Sequence, residues 1–332
     1  MLKNYSLMPK SVWQGRVDSE DDFAGFRWHQ WVKKLDLTDK KLKPFDGRLG
    51  FAILGFESDA GVQLNEGRTG AAKGPNSIRK ELASLPCQFA DDVLIYDAGN
   101  ISSKGISLEE AQDSLAEAVE KILDLNLFPI LLGGGHEIAF GHYKGILGHL
   151  KKKNEEKNIG IINFDAHFDL RSYSEGGTSG TMFRQIAGLA DIEDINYNYF
   201  CIGIQKHGNT QSLFKTADQL GVEYILARDI VSRDDYSLIE KIDDYIIRQD
   251  HLYISICSDV FSSAFAPGVS APQPLGLDPE KVLALLRYVL RTKKAISFDI
   301  AEVSPRFDQD DATANLASVM VFSVVYTLAK IY

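Results

Sequence analysis

NIGIINFDAHFDLR, residues 158–171, joins an apolar β-branched run to three polar residues at alternate positions, Asp165, His167 and Asp169. The run Ile159–Phe164 has no polar alternation apart from Asn163, which is the pattern of a strand covered on both faces. Beyond it the period changes. Side chains alternate along an extended segment, so Asp165, His167 and Asp169 project to one side while Ala166 and Phe168 project to the other. Oxygen and nitrogen donors gathered on one side suit divalent cations. A lone Asp-x-His after a strand is more often a turn or a cap than a ligand set, so the rest of the chain decides what this stretch means.

Working outward, six further runs have the same character: FAILGF (51–56), DVLIYD (92–97), FPILLG (128–133), YFCIGI (199–204), HLYISIC (251–257) and KAISFDI (294–300). Helical patterns fall between them, at 109–126, 209–220, 235–248 and 278–291. Buried strands separated by helices predict an α/β fold with three αβα layers and a doubly wound, mainly parallel sheet. No repeat or Pro/Gly/Ser linker divides the chain, so a single domain is expected over residues 46–332. Residues 1–45, with Trp13, Trp28 and Trp31 among many charges, read as an N-terminal extension packing on that core.

Composition narrows the partners. Asp plus Glu number 46 against 36 Lys plus Arg, a formal charge of −10, and no basic stripe is evident, which argues against nucleic acid. The densest basic run, Lys151–Lys153, meets Glu155 and Glu156 at once and reads as a solvated helix end. No apolar stretch is read as approaching the ~20 residues that cross a bilayer, and MLKNYSLMPK (1–10) lacks a signal-type segment. Cys87, Cys201 and Cys257 are few, odd in number and far apart, which argues against a disulfide framework. The expectation is a cytoplasmic protein with a small-molecule partner, without nucleic acid or membrane.

In open α/β sheets ligands bind beyond the carboxyl ends of the strands. Four strand ends here carry acids or histidines. Gly133-Gly134-Gly135-His136-Glu137 follows the strand at 128, DAHFDLR follows that at 158, CSDVFSSAFAPG follows that at 251, and Asp299 and Glu302 end the last one. His29, His142, His149, His207 and His251 lack such company and read as structural or surface residues.

GGGHE (133–137), NFDAHFDLR (163–171), SGTMFRQ (179–185), SDVFSSAFAPGVSAPQPLGL (258–277), SFDIAEVSP (297–305) and GVQLNEGRTGAAKGPNSIRKEL (61–82) together resemble the ureohydrolase superfamily of arginases, agmatinases and formimidoylglutamases. The resemblance spans roughly residues 50–330. GGGHE and SGTMFRQ look most like the formimidoylglutamase branch, which hydrolyses N-formimidoyl-L-glutamate to L-glutamate and formamide in histidine degradation. It implies an arginase-like fold and a pair of Mn2+ ions held by His136, Asp165, His167, Asp169 and Asp259, with Asp165 bridging. Asp169 would also carry a proton to the leaving amine, and Glu302 would hold the cationic amidine. Family members commonly assemble symmetrically, so a homo-oligomer is expected.

Two departures stand out. Cys257 occupies the position of an expected carboxylate ligand, and thiolates favour softer ions than manganese. Partial or single-ion occupancy, a metal-held thiolate and an inert buried cysteine are the outcomes left open. Phe183 stands where arginases carry a proton-shuttling histidine. For the substrate carboxylates the candidate clamps are Arg171, Arg184 and Arg68, since a guanidinium matches a carboxylate in bidentate fashion; Asn65 and Glu66 share the Arg68 loop. Another ureohydrolase, an agmatinase or guanidino-acid hydrolase, and a metal-poor, non-catalytic family member are the alternative readings.

Overall fold

The computed structural model describes residues 2–155, 158–232 and 235–332; Glu156, at the end of the basic run, lies outside the described residues. Ten strands form one sheet: β1 (Tyr5–Ser6), β2 (Lys33–Lys34), β3 (Leu49–Glu57), β4 (Val93–Ser102), β5 (Phe128–Leu132), β6 (Ile159–Phe164), β7 (Asn198–Ile204), β8 (Glu223–Leu226), β9 (His251–Cys257) and β10 (Ala295–Ala301). Their order is β1-β4-β3-β5-β10-β9-β6-β7-β8, with β2 also pairing β4. All pairings are parallel except that of β1 with β4. The seven apolar runs correspond to β3–β7, β9 and β10. The four-residue β8 and the two-residue β1 and β2 are too short to leave a periodic signal.

Helices cover both faces. Gly74–Ser84, Asp235–Ile246, Pro279–Arg291 and Ala312–Ile331 pack over one apolar layer that includes Ile78, Leu82, Leu286, Val321 and Val324. Leu108–Asp124, Ile138–Lys153, Met182–Glu193 and Gln211–Gln219 pack over the other, with Leu115, Val119, Ile146, Ile186 and Leu213. Each helix turns one stripe to the sheet. In Leu108–Asp124 the buried apolar residues are 108, 111, 115, 118, 119, 122 and 123, and the start is fixed by a capping box. There Ser107 Oγ accepts from Glu110 N–H at 3.1 Å and Glu110 reaches back to Ser107 N–H at 3.1 Å.

The helix Ala312–Ile331 corrects the expectation that no stretch is long and apolar enough to cross a bilayer, since its 20 residues meet that length and hydropathy. Alanine, serine and threonine dilute its apolar residues, which is why it did not stand out. Most of its apolar window is buried, and it packs against Gly74–Ser84 and Pro279–Arg291 as a core helix does.

The topology leaves a reversal at the centre. The chain builds β3, β4 and β5 on one side, crosses to β6, β7 and β8, and only afterwards lays β9 and β10 between β5 and β6. This is the switch point at which α/β sheets open a crevice at the strand carboxyl ends.

The first 45 residues contribute β1 and β2 to the edge strand β4, and Trp28 is fully buried. They also meet a buried polar knot. Arg79, with no exposed surface, reaches Asp97 through Nε (3.1 Å) and Nη2 (3.0 Å), Asn100 Oδ1 through Nη1 (2.7 Å) and the Gly99 carbonyl through Nη2 (2.8 Å). Trp13 Nε1 donates to the same Asp97 carboxylate at 2.6 Å. The knot ties the helix Gly74–Ser84 to β4 and the N-terminal segment to both. Arg79→Ala leaves the buried Asp97 charge unpaired, so urea unfolding is expected to show a loss of about 3–5 kcal/mol, whereas an unchanged midpoint would remove this role.

Candidate metal centre

Four loops at the carboxyl ends of β5, β6, β9 and β10 converge on the switch point. After β5 the glycine turn is forced by close backbone approach. Gly133 N–H donates to the Ile300 carbonyl (2.7 Å), Gly134 N–H to Phe56 (2.9 Å) and Gly135 N–H to Ser58 (2.8 Å). A Cβ on Gly134 would collide with the Ser58 carbonyl oxygen, so this position admits only glycine. The turn delivers His136, 1% exposed, to the head of the helix Ile138–Lys153.

The β6 segment brings its donors together by a different route from the one alternation suggests. The strand stops at Phe164, and Asp165–Asp169 is loop in which Asp169 takes a left-handed φ of 51°. Asn209 pins this loop, accepting from Phe168 N–H at 3.0 Å and donating to the Ala166 carbonyl at 2.9 Å. Asp165 ends fully buried between the two imidazoles. Its Oδ2 lies 3.1 Å from His136 Nδ1 and its Oδ1 3.6 Å from His167 Nδ1. Asp169 Oδ2 lies 3.2 Å from His136 Nδ1, and Asp259 Oδ2 lies 3.1 Å from His167 Nδ1. Asp259 sits in a one-turn 3-10 helix, Ser258–Val260, directly after Cys257 closes β9. Two donor groups result, His136 with Asp165 and Cys257, and Asp165 with His167 and Asp259, each with its ligand atoms within 4.8 Å of one another. Asp165 belongs to both.

The His136 tautomer follows from its far side. Ser255 Oγ donates to Asp299 Oδ1 at 2.6 Å, which uses its one proton, so at 2.9 Å it accepts from His136 Nε2–H. In the neutral ring Nδ1 is then a bare lone pair. It is buried, and no hydrogen bond satisfies it although two carboxylates stand at 3.1 and 3.2 Å. A lone pair facing carboxylates calls for a cation between them, and a carboxylate relay behind a histidine is the usual way such a ligand is oriented. Asp299 is itself held by His142 Nδ1 (2.6 Å) and Tyr253 OH (2.5 Å), so His142 belongs to this buried relay. Phe183 meets the His136 ring edge-on at 5.5 Å and stacks on Tyr199, fixing the ring from its face.

The electrostatics agree. Burial opposes a charge on His136, yet Asp165 and Asp169 outweigh it and push its pKa well above the ordinary histidine value. His167 shifts the same way, against burial, through Asp259 and Asp165. Burial, reinforced by Asp165, raises Asp169 to about 6. Glu302 rises to about 8 and Glu137 to about 7, both chiefly through burial. The site favours added positive charge.

Glu302 arrives from the end of β10 with a left-handed φ of 67°, a strained conformation for a glutamate. That turn lets its N–H donate to the Gly134 carbonyl (2.8 Å) while its Oε1 accepts from His136 N–H (2.9 Å); Oε2 has no hydrogen-bond partner. His136, His167, Asp169, Cys257, Asp259 and Glu302 line a cavity of about 290 Å³. Arg68 and Arg171 also line it; Arg184 does not, because it lies on the helix Met182–Glu193 away from the cavity wall. Arg68 is anchored, its Nη2 donating to the Val269 carbonyl (2.7 Å) and its Nε to Ser270 (3.0 Å), with the guanidinium 4.1 Å over Phe307. The Arg171 side chain is exposed and has no ion-pair partner among the described residues. Ser255, Asn209 and Ser270 gave no signal in the sequence, since lone polar residues of these types are common in loops and strands.

The arginase family model matches residues 49–326. The formimidoylglutamase of Clostridium tetani is 60% identical over 330 residues, covering 99% of this chain and 98% of that one, and that of Geobacillus sp. is 44% identical over 314 residues, covering 95% and 94%. Among solved structures, the formimidoylglutamase of Bacillus subtilis superposes with a TM-score of 0.78 at 23% identity, covering 96% of this chain and 97% of that one. A Trypanosoma cruzi formiminoglutamase solved with two Mn2+ ions gives 0.75 at 24%, covering 85% and 94%. These superpositions bear out the three-layer αβα fold. With the family match running from β3 into the last helix and so near a relative along the whole length, the chain belongs to the arginase family.

Proposed function

We propose that this chain hydrolyses the formimidoyl C–N bond of N-formimidoyl-L-glutamate, giving L-glutamate and formamide, at a centre for two divalent cations. The observation that carries the reading is the pair of donor groups sharing Asp165 on a cavity floor. The choice of substrate rests on the relatives that bear this activity in their names at 60% and 44% identity. His136, Asp165, His167, Asp169 and Asp259 are the proposed ligands, and the partnerless Nδ1 of His136 supports the fit. Bound there, such cations lower the pKa of water and polarise the substrate.

The chain's own residues do the rest. The formimidoyl group is cationic, and Glu302 offers it an acidic oxygen free of other partners. As the amidinium arrives, this buried carboxylate is placed to form a charge-assisted pair with it. Asp169, beside His136 on the cavity wall, is placed to take up a proton and pass it to the glutamate nitrogen as the C–N bond breaks. Arg171, with its unpaired guanidinium at the mouth, is the proposed carboxylate clamp, and Arg68, anchored and stiff, is the second. Positioning and charge complementarity supply most of the rate.

Manganese-loaded protein is expected to release formamide from N-formimidoyl-L-glutamate and no urea from arginine or agmatine; urea as the product would replace this reading with another ureohydrolase. Asp165→Ala or His167→Ala should abolish turnover and ion retention together, read by assay and by equilibrium dialysis. Arg171→Ala should raise KM by roughly 10- to 100-fold with kcat little changed, the scale of about 1.5–3 kcal/mol for a charged hydrogen bond. Glu302 sits above its ordinary value in the folded chain, so its contribution to stability is full below about pH 4.5 and is lost as pH rises through about 8. Metal-free protein should therefore lose thermal stability across that window, and Glu302→Gln should flatten the loss; an identical slope in the variant would count against it.

A further inference from the structure

The two donor groups are chemically unequal. One holds an imidazole nitrogen, a carboxylate oxygen and the Cys257 sulfur, all buried; the other holds only carboxylate oxygens and imidazole. Cys257 is 2% exposed, faces the cavity, and its sulfur has no hydrogen-bond partner among the described residues. Beside it His136 Nδ1 is buried and also without a hydrogen bond, and a carboxylate oxygen of Asp165 completes the group. An unsatisfied nitrogen and an unpartnered sulfur beside a shared carboxylate oxygen mark a place that a single ion completes. Cys201 offers no such role, because its thiol is directed at the Asp165 and His167 carbonyl oxygens at 3.9 and 3.5 Å. Cys87 belongs to a separate depression with Phe23 and Phe89.

We propose that the cation beside His136 is bound through Cys257 as a thiolate and is a thiophilic divalent ion of the zinc or cobalt class, while the position formed by His167 and Asp259 suits manganese. The thiol proton passes to water when the metal–sulfur bond forms, so charge and atoms balance. Asp165 would then bridge two unlike ions. This rests on the two-cation reading of the site and goes beyond it in assigning each position its class of metal.

Cobalt(II) is the probe, because a thiolate ligand gives it a charge-transfer absorption in the near ultraviolet that oxygen and nitrogen ligands do not. Full-length protein stripped of metal and titrated with cobalt should develop that band, complete at one equivalent, and bind a second ion without enlarging it. Cys257→Ser should lose the band. Cys257→Asp should bind two cobalt ions without it and gain preference for manganese over zinc. Two bound ions with no band in the unaltered protein, or a band that survives in Cys257→Ser, would overturn the thiolate assignment and leave the two-cation reading standing. Failure to bind cobalt at all would overturn both. A band in protein that does not turn over N-formimidoyl-L-glutamate would uphold this assignment and sink the proposed reaction.

Discussion

Asp165 is a carboxylate with no exposed surface, set between two imidazoles and held by Asn163 Nδ2 at 3.0 Å and its own loop's His167 N–H at 2.8 Å. Burying one charge costs several kcal/mol unless it is offset. Asp169, Asp259, Glu302 and Glu137 crowd the same region, and no lysine or arginine forms an ion pair with any of them among the described residues. Neutralisation has to come from protons or from outside the chain. The raised pKa values of Asp169, Glu137 and Glu302 are the signature of that debt, and a pair of dications removes it.

Much of the fold serves to hold this arrangement rigid. The delayed insertion of β9 and β10 between β5 and β6 places four strand ends around one crevice, so that His136 after β5, Asp165, His167 and Asp169 after β6, and Asp259 after β9 meet on a common frame. Behind them a buried relay runs from His136 through Ser255 to Asp299, where Tyr253 and His142 also end. The left-handed residues Asp169 and Glu302 are two of the proposed working groups, and their backbone strain is sustained by the glycine turn and the Asn209 clamp on either side.

How much of this was legible in the sequence depends on the length over which a signal repeats. The seven long apolar runs pointed to the parallel sheet, because buried strands demand apolar residues over several positions, and DAHFD, GGGHE and SDV contain the acids and histidines that meet at the crevice. β8, β1 and β2 were missed since two to four residues carry no period. Alternation expects Asp165–Asp169 to run as an extended strand, whereas a left-handed kink at Asp169 brings its carboxylate to His136. Arg184 illustrates the other limit, since adjacency to a motif in sequence does not put a side chain on the cavity wall. Ser255 and His142 gained their roles only from three-dimensional neighbours.

The claim on which the account depends is that His136, Asp165, His167, Asp169 and Asp259 close around two ions. A crystal of protein soaked with cobalt(II), with anomalous scattering recorded at the metal edge, tests it. Two peaks about 3.5–4 Å apart with the Asp165 carboxylate between them are expected. Peaks elsewhere, or an empty map at this cluster with well-ordered side chains, would contradict it.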